Sequence, residues 1–298
     1  MYIKNKRILF LLLLVSGKQV LAQDKIAFIS QKSLSKDELA YVPKNIKENI
    51  EYIKSNNTIV ARKYDRSRHA TILLTGKAGS GKKTCARYIA HEFNAAFFSI
   101  SNIDLQEISN IDLQKKRVDS VGREIAILFN KARAYSKRTG KQAVVFVDGI
   151  DFIGKSFAGT SDEQLLSRGN GYNSLFAQLD GSYHDNSNII FIGATNDAGF
   201  DAIDRELLCH LSCRMKLELP TKSECADLIK FYFKNVNHNL SDRDISYLVR
   251  YCSSTCTPAD IITIVNQSIV CAQRKNKKNI ERADVVEAFK IVRSQQKK

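Results

Sequence analysis

The chain has 298 residues, 44% hydrophobic and 26% charged, the balance of an ordinary globular protein with material for one large or two modest domains. Its formal charge of +15 raises the question of a nucleic-acid partner, but Lys and Arg are scattered, without one dominant block or interleaved aromatics, which favours a solvated basic surface. Seven cysteines, an odd number with no C-x-x-C pair, argue against a complete disulfide framework and against a zinc site.

Residues 1–22 stand apart. Lys4, Lys6 and Arg7 precede the apolar run Ile8 to Val15, and Val20 and Ala22 follow at a spacing that a signal peptidase accepts. The run is short for a membrane-spanning helix. It reads as a cleaved export signal, with an uncleaved interfacial anchor or a start assigned too early as the alternatives. Cleavage would remove four basic residues and no acids, leaving +11. Export or membrane association through residues 1–22 is therefore the expectation, and a cytoplasmic location the alternative.

Residues 23–60 read as a linker and helix. Gln23 to Pro43 is polar with little periodicity, and Ile46, Ile50 and Ile53 then recur at helical spacing. From 61 to 220, apolar runs alternate with helix-length segments: Ala70 to Thr75, Ala95 to Ile100, Val144 to Asp148, Asn188 to Thr195, and MKLEL before Pro220. The pattern predicts an α/β fold, a parallel sheet with helices on both faces. Between the second and third runs, SNIDLQEI at 101–108 is followed at once by SNIDLQKK at 109–116, a duplication that lengthens a loop or helix. After Pro220 the strands stop. Thr221 with Glu224, Ser241, and Thr257 with Pro258 are helix starts, so 221–298 is expected to be a small bundle of about four helices. Cys209 with Cys213, and Cys252 with Cys256, are spaced for one helical face.

The chemistry begins after the first strand run, in Gly76, Lys77, Ala78, Gly79, Ser80, Gly81, Lys82, Lys83 and Thr84. Phosphate binding needs backbone N–H groups turned inward, which glycines permit, and a helix N-terminus facing the anion. Gly76, Gly81 and Lys82 have the P-loop (Walker A) spacing, which implies ATP as ligand. The Ser or Thr that should follow the lysine and hold Mg²⁺ is Lys83 instead. Thr84 is one step further on, about 100° around a helix, and is expected to point elsewhere. The Lys83 ammonium is expected to stand in part for the metal.

The third run ends at Asp148, where a Walker B carboxylate that orients Mg²⁺ belongs. With that strand the chain resembles the AAA+ ATPases. FIGATN, ending in Asn196, is similar to their sensor-1 strand, and Tyr172 to Gly181 resembles the preceding helix. Thr257 to Ile261 and Asn266 to Ile280 resemble the lid helices of the membrane-anchored AAA proteases. The resemblance covers roughly 44–295 and is to the AAA module alone, without the protease domain; HEFNA at His91 carries one His and is not a zinc motif. It implies ATP binding, a lid domain after Pro220, oligomers and protein partners, with Asp148 and Asn196 as candidate catalytic residues and Asp148 as a weak Mg²⁺ site.

The departures matter as much. Gly149 occupies the place of the glutamate that polarises water in the family, a general base of the kind that contributes about 10²–10⁴ in rate. Asp151, three residues on from Asp148, does not match the base. Cys209 and His210 align with arginine fingers, worth about 10³–10⁵ in turnover, and Arg214 is not a match. Arg117 aligns with the substrate-gripping pore aromatic. An ATP-binding regulatory or scaffold subunit with weak or absent hydrolysis is expected. The alternatives are an active ATPase remodelling proteins and a basic nucleic-acid-binding module.

Overall fold

The computed structural model describes residues 27–29, 42–56, 70–115, 120–154, 162–180, 185–252 and 256–296. Residues 1–22, most of the linker and Arg117 lie outside them, so the export and pore-loop expectations find no counterpart here. No helix among the described residues is long and apolar enough to cross a membrane.

The strands are β1 (Ala27–Ile29), β2 (Thr71–Thr75), β3 (Ala96–Ile100), β4 (Ala143–Asp148), β5 (Ile189–Thr195) and β6 (Cys213–Lys216), in the order β1-β3-β4-β5-β2-β6. Five run parallel, as the alternating pattern predicts. Period-two alternation sorts their side chains between two faces. Leu73, Phe98, Val145 and Phe191 enter one apolar cluster, while Ile72, Phe97, Phe146 and Ile192 enter the other. Helices α1 (Lys44–Asn56) and α2 (Lys82–Glu92) cover the second face. Helices α3 (Asn102–Lys115), α4 (Ser120–Thr139), α5 (Ile150–Gly154) and α6 (Asp162–Leu179) cover the first. Both faces are thus dry, which explains why the strands read as continuous hydrophobic runs.

Three details differ from the sequence reading. The linker contributes β1, antiparallel to β3, with Phe28 opposite Phe98 and the two rings 4.9 Å apart. The last strand is Cys213–Lys216, starting two residues before MKLEL and ending within it, with Leu217 N still donating to Thr75 O of β2 (2.8 Å). Neither cysteine pair shares a helix. After α7 (Asp197–Phe200), Cys209 lies exposed on α8 (Arg205–His210) and Cys213 on β6, while Cys252 and Cys256 are both buried outside the α-helices. The tandem duplication lengthens α3, which runs through both copies.

Beyond Pro220 come α9 (Lys222–Phe233), α10 (Asp242–Leu248), a 3₁₀ turn at Val249–Tyr251, α11 (Pro258–Arg274) and α12 (Arg282–Gln296), packed around their own apolar cluster. Helices α9, α10 and α11 start with reciprocal capping boxes at Thr221/Glu224, Ser241/Asp244 and Thr257/Asp260, and α11 has Pro258 in its first turn. The α11–α12 connection is held by Asp284, whose side chain is 0% exposed. It accepts from Lys275 Nζ (2.8 Å), Lys277 Nζ (3.2 Å) and the Glu281 amide (3.1 Å). Burial opposes its charge, but these hydrogen bonds outweigh burial and hold the carboxyl below its ordinary range. A depressed folded-state pKa stabilises the fold above the unfolded value and loses that stabilisation as pH falls through the folded one. Asp284→Asn is therefore expected to cost about 2 kcal/mol at pH 7. Its deficit should shrink as the parent is acidified below about pH 4. Urea denaturation of both proteins between pH 7 and 3 checks this, and a pH-independent deficit contradicts it.

Candidate functional site

The loop between β2 and α2 has the backbone that its glycines allow. Gly76, Gly79 and Gly81 have φ of 145°, 79° and 94°, in the region L side chains avoid. Space is short as well: a Cβ on Gly76 would sit 2.7 Å from Leu217 O, and one on Gly79 would sit 2.9 Å from Thr257 Oγ1. The second contact comes from the C-terminal helices. Ala259 N, in the first turn of α11, donates to Gly79 O at 3.2 Å, so that turn rests directly on the loop.

A cavity of about 440 Å³ opens beside this loop, within the size range of small-molecule sites. Of the predicted cradle, Ala78, Gly79, Gly81, Lys82, Lys83 and Thr84 line it. Gly76, Lys77 and Ser80 shape the loop from behind: the Gly76 and Lys77 carbonyls accept from Lys82 Nζ at 2.7 and 3.1 Å, and Ser80 is buried. Thr84, for all its turn around the helix, reaches the same cavity.

Opposite the loop, β4 and β5 deliver Asp148, Gly149, Thr195 and Asn196. Burial pushes the Asp148 carboxyl up, opposed by the charges of Lys82 and Lys83 and by the Gly149 amide. Burial pulls Lys82 down, opposed by Asp148, Asp197 and Asp151. Asn196 caps α7, its Oδ1 accepting from Gly199 N at 2.6 Å, and lines the cavity as well. Asp151 is also there, with Thr195 Oγ1 donating to its Oδ1 at 2.7 Å.

Residues that the sequence reading did not single out complete the site. Tyr232 on α9 and Ile262 on α11 give it an apolar end. Their signal lay in helix faces that look like ordinary core until the helices are placed. Asn102, at the start of α3, lines the cavity next to Gly149. Gly149 has φ 75° and donates to Ala194 O at 2.8 Å; a Cβ on it would lie 2.5 Å from Asn102 Cγ.

A model of the ATPase family associated with various cellular activities (AAA) matches residues 72–221, just over half of the chain. The chain belongs to the AAA family. Among curated AAA relatives it is 28% identical over 253 residues to an ATP-dependent zinc metalloprotease FtsH of Karelsulcia muelleri, covering 82% of this chain and 37% of that protein. It is 29% identical to the FtsH of Parabacteroides distasonis over 72% of this chain and 29% of the relative. The chain thus spans about a third of the length of these relatives. The AAA domain of FIGL-1, in a crystal structure with ADP, shares the fold at a TM-score of 0.67 and 17% identity, covering 90% of this chain and 86% of that one. An AAA ATPase fold with an FtsH-like AAA module is therefore established for this chain.

Cys209 and His210, the expected finger positions, and Arg214 beyond them do not line the cavity. Cys209 is exposed at the end of α8, and the His210 ring packs edge-on against Phe176 at 4.4 Å. Arg214 donates to Leu208 O at 2.9 Å.

AAA membership implies Mg²⁺, whose preferred ligands are oxygens. The residue after Lys82 carries an ammonium, and the Asp148 carboxylate already feels the charges of Lys82 and Lys83. Among the oxygen-bearing side chains that line the cavity are Asp148, the carboxylate at the end of β4, and Thr84, a hydroxyl in the first turn of α2.

Proposed function

We propose that this AAA protein binds ATP and hydrolyses it weakly or not at all, acting as a regulatory or scaffold subunit for a protein partner or an oligomer. The observation that carries the reading is Gly149: a residue without a side chain, in a left-handed conformation, with Asn102 in the space that a side chain would enter. No carboxylate stands at that position to take a proton from water, and Cys209 and His210 offer no guanidinium to a neighbouring subunit. The loop amides, Lys82 and Lys83 supply attraction for the phosphates, and Tyr232 and Ile262 supply a surface for a base. Membrane association or export through residues 1–22 belongs to the same proposal.

Lys83 gives the reading a specific consequence. With an ammonium as the local positive charge, ATP affinity is expected to change less than about threefold when EDTA removes Mg²⁺, a cost under 1 kcal/mol. Titration calorimetry with and without chelator, alongside a phosphate-release assay at high protein concentration, tests both halves. A large loss of affinity with EDTA overturns the role of Lys83, and brisk release that depends on Lys82 overturns weak hydrolysis.

An active remodelling ATPase is the second reading. It draws support from Asp151, a carboxylate in the cavity, although its Oδ1 is engaged by Thr195. The same release assay decides between them.

A further inference from the structure

We propose that Asn102 is a direct ligand of the terminal phosphate of a bound nucleoside triphosphate, donating from its amide beside the place where Gly149 offers no side chain. The inference rests on the ATP-binding reading above and deepens it by naming what lets the site tell triphosphate from diphosphate.

Three observations converge on this residue. The first is position. Sheet order puts β4 between β3 and β5. Asn102 follows β3 and Asn196 follows β5, so two carboxamides bracket Asp148 at the carboxyl end of β4, and all three line the cavity. The second is volume. A Cβ on Gly149 would meet Asn102 Cγ at 2.5 Å and its Cβ and Oδ1 at 2.7 Å, so the Asn102 side chain holds the space of a residue-149 side chain.

The third is what each amide has left to offer. Asn102 Oδ1 accepts from Gln106 Nε2 at 3.3 Å, and Asn196 Oδ1 accepts from Gly199 N at 2.6 Å. In both, the oxygen is engaged and the NH₂ end remains as a donor. Capping does not call on Asn102. That work falls to Ser101, whose Oγ accepts from Asp104 N (3.2 Å) while Asp104 Oδ2 accepts from Ser101 N (3.2 Å).

The chemistry follows from the functional group. A carboxylate at this place would repel a phosphate oxygen and accept a proton from water; a neutral carboxamide attracts the phosphate oxygen and has no basicity to activate water. Hydrogen bonds to charged groups are stronger than neutral ones. A site built this way senses the third phosphate and leaves the bond to it intact.

The test is calorimetric binding of ATP and of ADP to the whole chain, its Asn102→Ala variant and its Asn102→Asp variant, with melting temperatures for each. The parent is expected to prefer ATP. Asn102→Ala should weaken ATP about tenfold and leave ADP within about twofold, since one charge-assisted hydrogen bond is lost. Asn102→Asp should weaken ATP further by repulsion, again sparing ADP. Asn102→Ser, short and still a donor, guards against loss of folding and should keep part of the ATP preference. An unchanged ATP-to-ADP ratio in the folded alanine variant overturns the role of Asn102 while leaving nucleotide binding intact. A parent chain that binds neither nucleotide overturns the ATP-binding reading itself.

Discussion

Replacing Lys82 by alanine is expected to weaken ATP binding by about 100-fold or more, the largest effect of any single change at the site. The ammonium sits in the first turn of α2 and lines the cavity, held by the Gly76 and Lys77 carbonyls at 2.7 and 3.1 Å. A phosphate oxygen would draw it from those carbonyls into one or two charge-assisted bonds, each worth about 1.5–3 kcal/mol. Its removal also leaves Asp148, Asp151 and Asp197, which all act on Lys82, without that counter-charge, so the emptied site repels the anion. Folding should suffer less than binding, because the partners the ammonium leaves are two backbone carbonyls, and the bond to Lys77 O is exposed to water. Fluorescent-nucleotide titration with a melting curve checks both halves. A variant that binds ATP as tightly as the parent would show that the loop is not the phosphate site.

Phe129→Ala carries the largest expected cost to stability, about 3–5 kcal/mol. Phe129 is completely buried at the middle of α4, and its ring stacks on Phe191 of β5 with centroids 5.8 Å apart and planes at 17°. The guanidinium of Arg133 lies 5.7 Å from the same ring and is fixed by Asn186 Oδ1 (3.1 Å) and Gln178 Oε1 (2.6 Å). Phe129 and Arg133 together therefore link α4 to the sheet and to the end of α6. Domains are stable by only about 5–15 kcal/mol, so this loss is a large fraction of the whole. Phe129→Leu keeps most of the volume and should cost under about 1.5 kcal/mol. Urea unfolding of the two variants measures the difference. An alanine variant within 1 kcal/mol of the parent would mean that α4 is not packed against β5 as described.

The parallel sheet and the glycine-lined turn before α2 were readable because their determinants are local. A glycine at each left-handed turn position and a lysine opening a helix are consecutive residues, and the capping boxes of α9, α10 and α11 each span four. Three features escaped for the opposite reason. Ala27–Ile29 is too short to show alternation, so nothing marks it as a strand until β3 is there to pair with it. Cysteines four apart suggested helical faces, but periodicity has no meaning where a helix ends between them, as it does after His210. The meeting of Asn102 with Gly149 depends on β3 and β4 being neighbours, and no spacing along the chain encodes the contact of two residues so far apart.

The resting of α11 on the phosphate loop through Ala259 N and Gly79 O ties two events into one equilibrium. A ligand that shifts the loop must work on that hydrogen bond, and so must any partner that tilts the C-terminal helices. By thermodynamic linkage the two influences are equal in size: whatever factor nucleotide imposes on the partner's affinity, the partner returns to the nucleotide. On the proposed reading of weak hydrolysis, the protein would in this way still report how much ATP is present, with occupancy as the signal.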